Sequence, residues 1–281
     1  MLIAQITDIH LGFEADNACE LNRRRLDRTV EALLAVDPAP DLLIVSGDLA
    51  DKGEPASYRR LRDSLAACPC PVVLCVGNHD SRPNFHAAFP QTPTSEGFVQ
   101  YVLDDWPLRI VVLDTVEEGR HGGAFCERRA RWLDERLGEA AGRPVLLVLH
   151  HPPVPTGIHW MTAQAREPWT LRLSQVVSRH ADVVVAAVCG HLHRPMVAPW
   201  AGTTLIVCPS VAPPIALDLK AMVRLDNRPM VVADPPGFAL HLWTADGLVS
   251  HFGIAEPGEV LARYDETMAP LVRRFTAEHD E

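Results

Sequence analysis

Five short polar blocks, each following an apolar run, carry the residues that could do chemistry. They are Asp8-Ile9-His10, Gly47-Asp48, Gly77-Asn78-His79-Asp80, His150-His151-Pro152-Pro153 and Gly190-His191-Leu192-His193. Their side chains are carboxylates, an amide and imidazoles, with no thiolate among them. Donors of that mixed kind suit Mn²⁺, Fe²⁺, Co²⁺ or Zn²⁺ better than Ca²⁺. One aspartate can bridge two ions, and metals about 3.5–4 Å apart are a common device for phosphoester hydrolysis. If the blocks continue their strands, Asp8 with His10 and His191 with His193 point the same way as alternate residues. Gly47, Gly77 and Gly190 give the chain room to turn beside the ligand residues. A lone Gly-Asp or Asp-x-His reads as a turn; five such blocks in order do not.

The runs before the blocks must position them. Apolar, β-branched segments recur at 2–6, 42–45, 72–76, 99–103, 109–113, 145–149, 183–188 and 204–207. Their near-continuous apolar character predicts strands buried on both faces. Amphipathic stretches at 22–36, 55–67, 127–137 and 171–179 predict helices between them. In the third, Trp132, Leu133 and Leu137 read as core packing. Strand alternating with helix implies a largely parallel sheet. The adjacent runs 99–103 and 109–113 predict an antiparallel hairpin, so the sheet is mixed. Open α/β sheets bind ligands beyond the carboxyl ends of their strands, where every block falls. Two Pro-rich segments interrupt the pattern. Residues 152–169 are placed to roof the site, and 209–236 to contact substrate or a partner subunit. Runs at 238–243 and 248–252 predict further strands, 259–275 a surface helix, and the charged tail a frayed end.

Composition removes several alternatives. At 281 residues the chain suits one large α/β domain. A net charge of −10 argues against a nucleic-acid polymer as partner. No apolar run is long enough for a membrane span, and the N-terminus reads as a first strand rather than a signal peptide. The seven cysteines show no framework spacing. Cys75, Cys189 and Cys208 read as buried free thiols, which fits a cytoplasmic protein. Neither a P-loop nor a Gly-x-Ser-x-Gly elbow is present.

The order and wording of the five blocks resemble the calcineurin-like metallophosphoesterases. Within them the chain is most similar to bacterial class III cyclic-nucleotide phosphodiesterases and glycerophosphodiesterases. The resemblance covers residues 1–207, a catalytic core within a single domain 1–281. Residues 208–281 supply C-terminal strands, the second Pro-rich loop and a helix. The implied fold is a four-layer α/β/β/α sandwich of two mixed sheets flanked by helices. Two divalent metal ions are implied per chain. Asp8, His10, Asp48 and His193 would hold the first. Asp48, Asn78, His150 and His191 would hold the second, with Asp48 bridging. His150 is preferred to His151 because the family ligand is followed by x-Pro; the residues alone leave that choice open. His79 matches the histidine that contacts the phosphoryl group or protonates the leaving oxygen, and Asp80 a supporting acid that orients imidazoles.

The expected reaction is hydrolysis of a small phosphodiester, a cyclic nucleotide or a glycerophosphodiester, by a metal-bound hydroxide attacking in line. Phosphomonoester or protein-phosphatase chemistry is the alternative on this scaffold. It would favour extra arginines, and only Arg82 and Arg194 lie near the motifs. A non-catalytic interaction module would have lost ligands, and all are present here. A homo-oligomer, dimer or larger, is expected by the resemblance. His159 in the roof loop and His121 in a Gly-rich loop are candidate substrate contacts. His86, His180, His241, His251 and His279 read as surface or core residues. Asp51 and Lys52 read as a solvated loop, and Arg194 as a surface ion pair or a phosphate contact.

Overall fold

Alternation along the second sheet explains the layers. In the computed structural model, Ile110, Val112, Leu146, Val148, Ala186 and Val188 pack into one buried cluster with the first sheet. Their neighbours Val111, Leu147, Leu149, Ala187 and Cys189 point the other way, into a second cluster. A strand with apolar residues on both faces must be covered twice. One face meets another sheet and the other meets helices. Each fully buried Leu or Ile in these layers contributes about 1.5–3 kcal/mol.

The structure describes residues 1–14, 17, 19–164, 166–220, 227–256 and 258–277. The first sheet holds β1 (Leu2–Ile6), β2 (Leu42–Ser46), β3 (Val72–Cys75), β10 (Gly237–Thr244) and β11 (Gly247–Ile254), in the order β11-β10-β1-β2-β3. The second holds β4 (Tyr101–Leu103), β5 (Arg109–Val112), β6 (Val145–Val148), β7 (Val184–Cys189), β8 (Met196–Trp200) and β9 (Thr203–Val207), in the order β4-β5-β6-β7-β9-β8. Both sheets are mixed: β1 runs parallel to β2 and antiparallel to β10, while β5 runs parallel to β6 and antiparallel to β4. Helices α1 (Leu21–Leu34), α2 (Pro55–Leu65) and α3 (Arg82–Ala88) cover the first sheet with Leu26, Leu61 and Phe85. Helices α4 (Glu127–Gly138) and α5 (Pro168–Arg179) cover the second with Leu133, Leu137 and Leu173. The result is the expected α/β/β/α sandwich.

Three elements differ from the sequence expectation. β8 is absent from it because Pro195 and Pro199 break the apolar pattern. As an edge strand, β8 tolerates proline. The seven-residue α3 is too short to show a helical period. The helix expected over 259–275 is confined to α6 (Ala269–Ala277), none of whose residues is buried. Pro270 suits a first helical turn and disfavours helix before it, and no residue of 258–268 is buried against the domain to override that. The charged tail at 278–281, with His279, and residues 221–226 of the second Pro-rich segment lie outside the described residues.

A polar seam joins the sheets. Gln5 donates to Ser46 Oγ (2.7 Å) and to the Cys189 carbonyl (3.1 Å), and accepts from His241 Nε2 (2.9 Å). His241 is fully buried, and its Nδ1 pairs with Ser250 Oγ at 2.7 Å. Burial pushes this imidazole down from its ordinary 6.5 to about 4. The unfolded chain therefore takes up a proton between those values that the folded chain refuses. Stability from this group is complete above pH 6.5 and declines as pH falls towards 4. Over that window the loss is about 3 kcal/mol. His241→Gln should flatten this part of the pH–stability curve in urea unfolding, and an unchanged curve would contradict the assignment.

Candidate metal centre

All five blocks lie beyond the carboxyl ends of parallel strands, three on the first sheet (β1, β2, β3) and two on the second (β6, β7). Their loops are stitched together by backbone: Asp8 N–H donates to the Gly47 carbonyl (3.0 Å) and Gly190 N–H to the His150 carbonyl (3.1 Å). The convergence does not come from strand pleating. Asp8, His10, Asp48, His191 and His193 all have φ between 48° and 68°. These left-handed turns replace the extended geometry expected of Asp-x-His and His-x-His. A left-handed conformation in a residue with a Cβ costs on the order of 1–3 kcal/mol and clusters at functional sites. Glycine is required where the loops touch. A Cβ on Gly77 would stand 2.3 Å from Asp48 Oδ1 and 2.8 Å from His150 Nε2, and one on Gly190 would stand 1.9 Å from Thr7 Oγ1.

The imidazoles are oriented from behind. His150 Nδ1 donates to the Ser46 carbonyl (2.8 Å), and His193 Nδ1 to the Pro213 carbonyl (3.2 Å). His10 Nδ1 donates to the Asp51 carboxylate (3.2 Å). Each bond fixes the tautomer of the neutral ring and turns Nε2 inward, where it can accept once it carries no proton. There His10 Nε2 and His193 Nε2 lie 3.1 Å apart. Asp48 Oδ2 lies 3.5 Å from His10 Nε2 and 3.2 Å from His150 Nε2, and Asp8 Oδ1 lies 3.5 Å from His193 Nε2. Donor atoms of Asp8, His10 and His193, and of Asp8, Asp48 and His150, lie within 4.8 Å of one another. Two further groups meet the same limit: His10, Asp48 and His79, and His150, His151 and His191.

This donor set fits divalent cations. Asn78 Oδ1 and His150 Nε2 are buried without a hydrogen-bond partner, and bare lone pairs face one another across the cluster. Buried polar atoms are rarely left in that condition without an ion or water. The electrostatics agree. Burial raises Asp48, but the imidazoles of His150 and His10 outweigh it and hold the carboxyl well below its usual range. Burial raises Asp8 to about 6. Burial lowers His150, but the carboxylates of Asp48 and Asp8 outweigh it and lift the imidazole to about 9. A cation would compete with that proton. Burial keeps His191 well below the ordinary imidazole range and His193 near 4, so both present neutral nitrogen.

Several sequence expectations change here. Asp80 orients no imidazole. Its carboxylate accepts from the Leu49, Ala50 and Gly77 amides and from Tyr58 Oη, at 2.9–3.2 Å. It clamps the Asp48 and Asn78 loops together. The orienting acid is Asp51, read from sequence as a solvated loop residue. Its carboxylate holds His10, and its carbonyl accepts from His79 Nδ1 at 2.7 Å. An acid three residues after Gly-Asp, inside one turn, was the available signal. His159 is exposed on a 3₁₀ turn (His159–Met161) and does not line the cavity; its neighbours Trp160 and Met161 do. His121 does as well. Arg194 makes no ion pair among the described residues; it donates to the Ile215 carbonyl at 2.8 Å. His151 pairs with Thr115 Oγ1 at 2.8 Å, behind the cluster. The second Pro-rich segment contributes Ala212, Pro213, Ile215 and Val231 to the cavity wall.

Carboxylate, amide and imidazole donors gathered at the mouth of a double sheet define a protein that binds divalent metal ions. Residues 1–195 match the model of the calcineurin-like phosphoesterase family, and the chain belongs to that family. A probable glycerophosphodiester phosphodiesterase of Arcobacter nitrofigilis is 31% identical over 257 residues, covering 89% of this chain and 92% of the relative. A probable cyclic nucleotide phosphodiesterase of Rhodopseudomonas palustris is 34% identical over 262 residues, covering 89% and 91%. In fold, the chain is similar to a dimetal phosphatase from Danio rerio. The TM-score is 0.63 at 17% identity, with 91% of this chain and 96% of the other covered.

Proposed function

We propose that this protein is a metal-dependent hydrolase of small phosphodiesters, cyclic nucleotides or glycerophosphodiesters. The observation that carries the reading is the makeup of the cavity over the cluster. It measures about 450 Å³ and is lined by apolar Phe13, Leu21, Trp160, Met161 and Ile215, by Glu14 and Glu20, and by His10, Asp48, His79, His191 and His193 of the cluster. Among the described residues that line it there is no lysine or arginine. Arg82 is committed to Asp114 through two 2.7 Å bonds, and Arg194 to a carbonyl. A monoester dianion calls for such cations. A diester monoanion with an organic arm on each side suits imidazoles and apolar walls.

Asp8, His10, Asp48 and His193 are suited to hold one ion, and Asp48, Asn78, His150 and His191 the other, with Asp48 shared. Mn²⁺ or Fe²⁺ is the favoured pair for nitrogen and oxygen donors, with Zn²⁺ or Co²⁺ as alternatives. When bound, such ions polarise phosphoryl oxygens and lower the pKa of water. The chain's own residues do the rest. His79 is held at Nδ1 by the Asp51 carbonyl, which leaves Nε2 available to serve the leaving oxygen. Asp51 and Asp80 keep the loops in register, and the roof residues Trp160 and Met161 limit water. The chain acts as one domain, with 208–281 completing the first sheet and the cavity wall. Among the described residues no helix is long and apolar enough to cross a membrane, and all seven cysteines are free, which suits the cytoplasm. The exposed apolar residues Val249, Phe252 and Ile254 of β11 favour a homo-oligomer.

The test is a direct comparison of esters. Protein loaded with Mn²⁺ should show a higher kcat/KM for bis-p-nitrophenyl phosphate than for p-nitrophenyl phosphate. Preference for the monoester would move the assignment to phosphatase, and no hydrolysis at all to an interaction module.

A further inference from the structure

His121 stands in the loop between β5 and α4. The neck of that loop is closed by Ala124 N–H donating to the Thr115 carbonyl at 2.9 Å. Gly123 seats the neck against the wall so closely that a Cβ there would lie 2.8 Å from the Trp169 ring and 3.0 Å from His151 Cβ. His121 is thereby carried over His191, with ring centroids 4.7 Å apart and planes at 45°. Its Nε2 lies 3.2 Å from Met161 Sδ, a weak acceptor that a ligand oxygen would readily displace. It opens into the same cavity as Asp48, His79 and His193. On the other side of the cluster, His79 meets His10 edge-on at 4.5 Å.

Two cavity-lining imidazoles outside the proposed ligand set therefore flank the cluster, one against His10 and one against His191. A diester phosphoryl group has two non-bridging oxygens, and with no lysine or arginine in the described wall imidazoles so placed are suited to supply their remaining hydrogen bonds. The geometry points to His121 as a substrate-contacting residue that donates a hydrogen bond to the phosphoryl group from the His191 side, opposite His79. This rests on the reading of the cavity as a phosphodiester site.

The probe is inorganic phosphate, titrated by calorimetry into Mn²⁺-loaded wild type, His121→Ala and His121→Gln, alongside Mn²⁺ content and kcat/KM for bis-p-nitrophenyl phosphate. His121→Ala should keep its Mn²⁺ and bind phosphate about tenfold more weakly or worse, the effect of losing a hydrogen bond to a charged group. kcat/KM should fall in parallel. His121→Gln, which retains a side-chain N–H, should recover part of both. Unchanged phosphate affinity in His121→Ala would overturn the contact, and so would loss of Mn²⁺, which would make His121 a metal ligand. If phosphate binding depends on His121 in a protein that hydrolyses no diester, the contact stands and the phosphodiesterase reading falls.

Discussion

Asp48→Ala is expected to lose metal at both positions and to lower kcat by at least about 10³-fold, the upper end of what one electrostatic stabiliser contributes. The carboxylate stands between the two groups of donors. Oδ2 lies 3.5 Å from His10 Nε2 and 3.2 Å from His150 Nε2, while Oδ1 is aimed by the His79 amide at 2.9 Å. An alanine removes the carboxylate that the proposed ligand sets share and leaves buried imidazoles facing a void. Asn78→Ala removes a neutral donor from one side, so it should weaken one ion and spare the other. Elemental analysis after Mn²⁺ loading and desalting separates the two variants. Near-normal turnover in Asp48→Ala would end the bridging assignment.

His79→Ala should retain its metal and lose about 10²–10⁴-fold in rate, the range of general acid–base help. The loss should depend on the leaving group. Alkoxides leaving from cyclic nucleotides or glycerophosphodiesters need a proton, whereas p-nitrophenolate departs without one. The variant should therefore suffer more on natural diesters than on bis-p-nitrophenyl phosphate. An equal loss on both would leave His79 a positioning role only. Loss of Mn²⁺ would place it among the ligands, which its inclusion with His10 and Asp48 in one donor group makes a real alternative.

The architecture was legible because the apolar runs are long and the polar blocks abrupt. Ile6, Val45 and Val148 end or nearly end strands whose next residues are the site, as their sequence context implies. What was hidden depends on contacts between distant residues. Asp51 meets His10 across 41 positions, and Asp80 meets Tyr58 across 22. Neither partner can be inferred from local pattern, so Asp51 passed for a loop residue and Asp80 for an orienting acid. His159 and Trp160 are neighbours, and their positions around one 3₁₀ turn decide which faces the cavity. The left-handed turns were hidden for another reason: aspartate and histidine do not announce a positive φ as glycine does.

Those turns also set the direction in which the protein can be improved. At Asp8, His10, Asp48, His191 and His193 the backbone is held where a glycine would sit with less strain, yet the side chain is what the site requires. Substitutions that relax these positions would relieve backbone strain only by dismantling the metal centre and stripping the His191 and His79 amides of their carboxylate acceptors. Gains in durability that preserve function must come from elsewhere, such as the sparsely packed 258–268 segment and α6, which no buried contact yet secures.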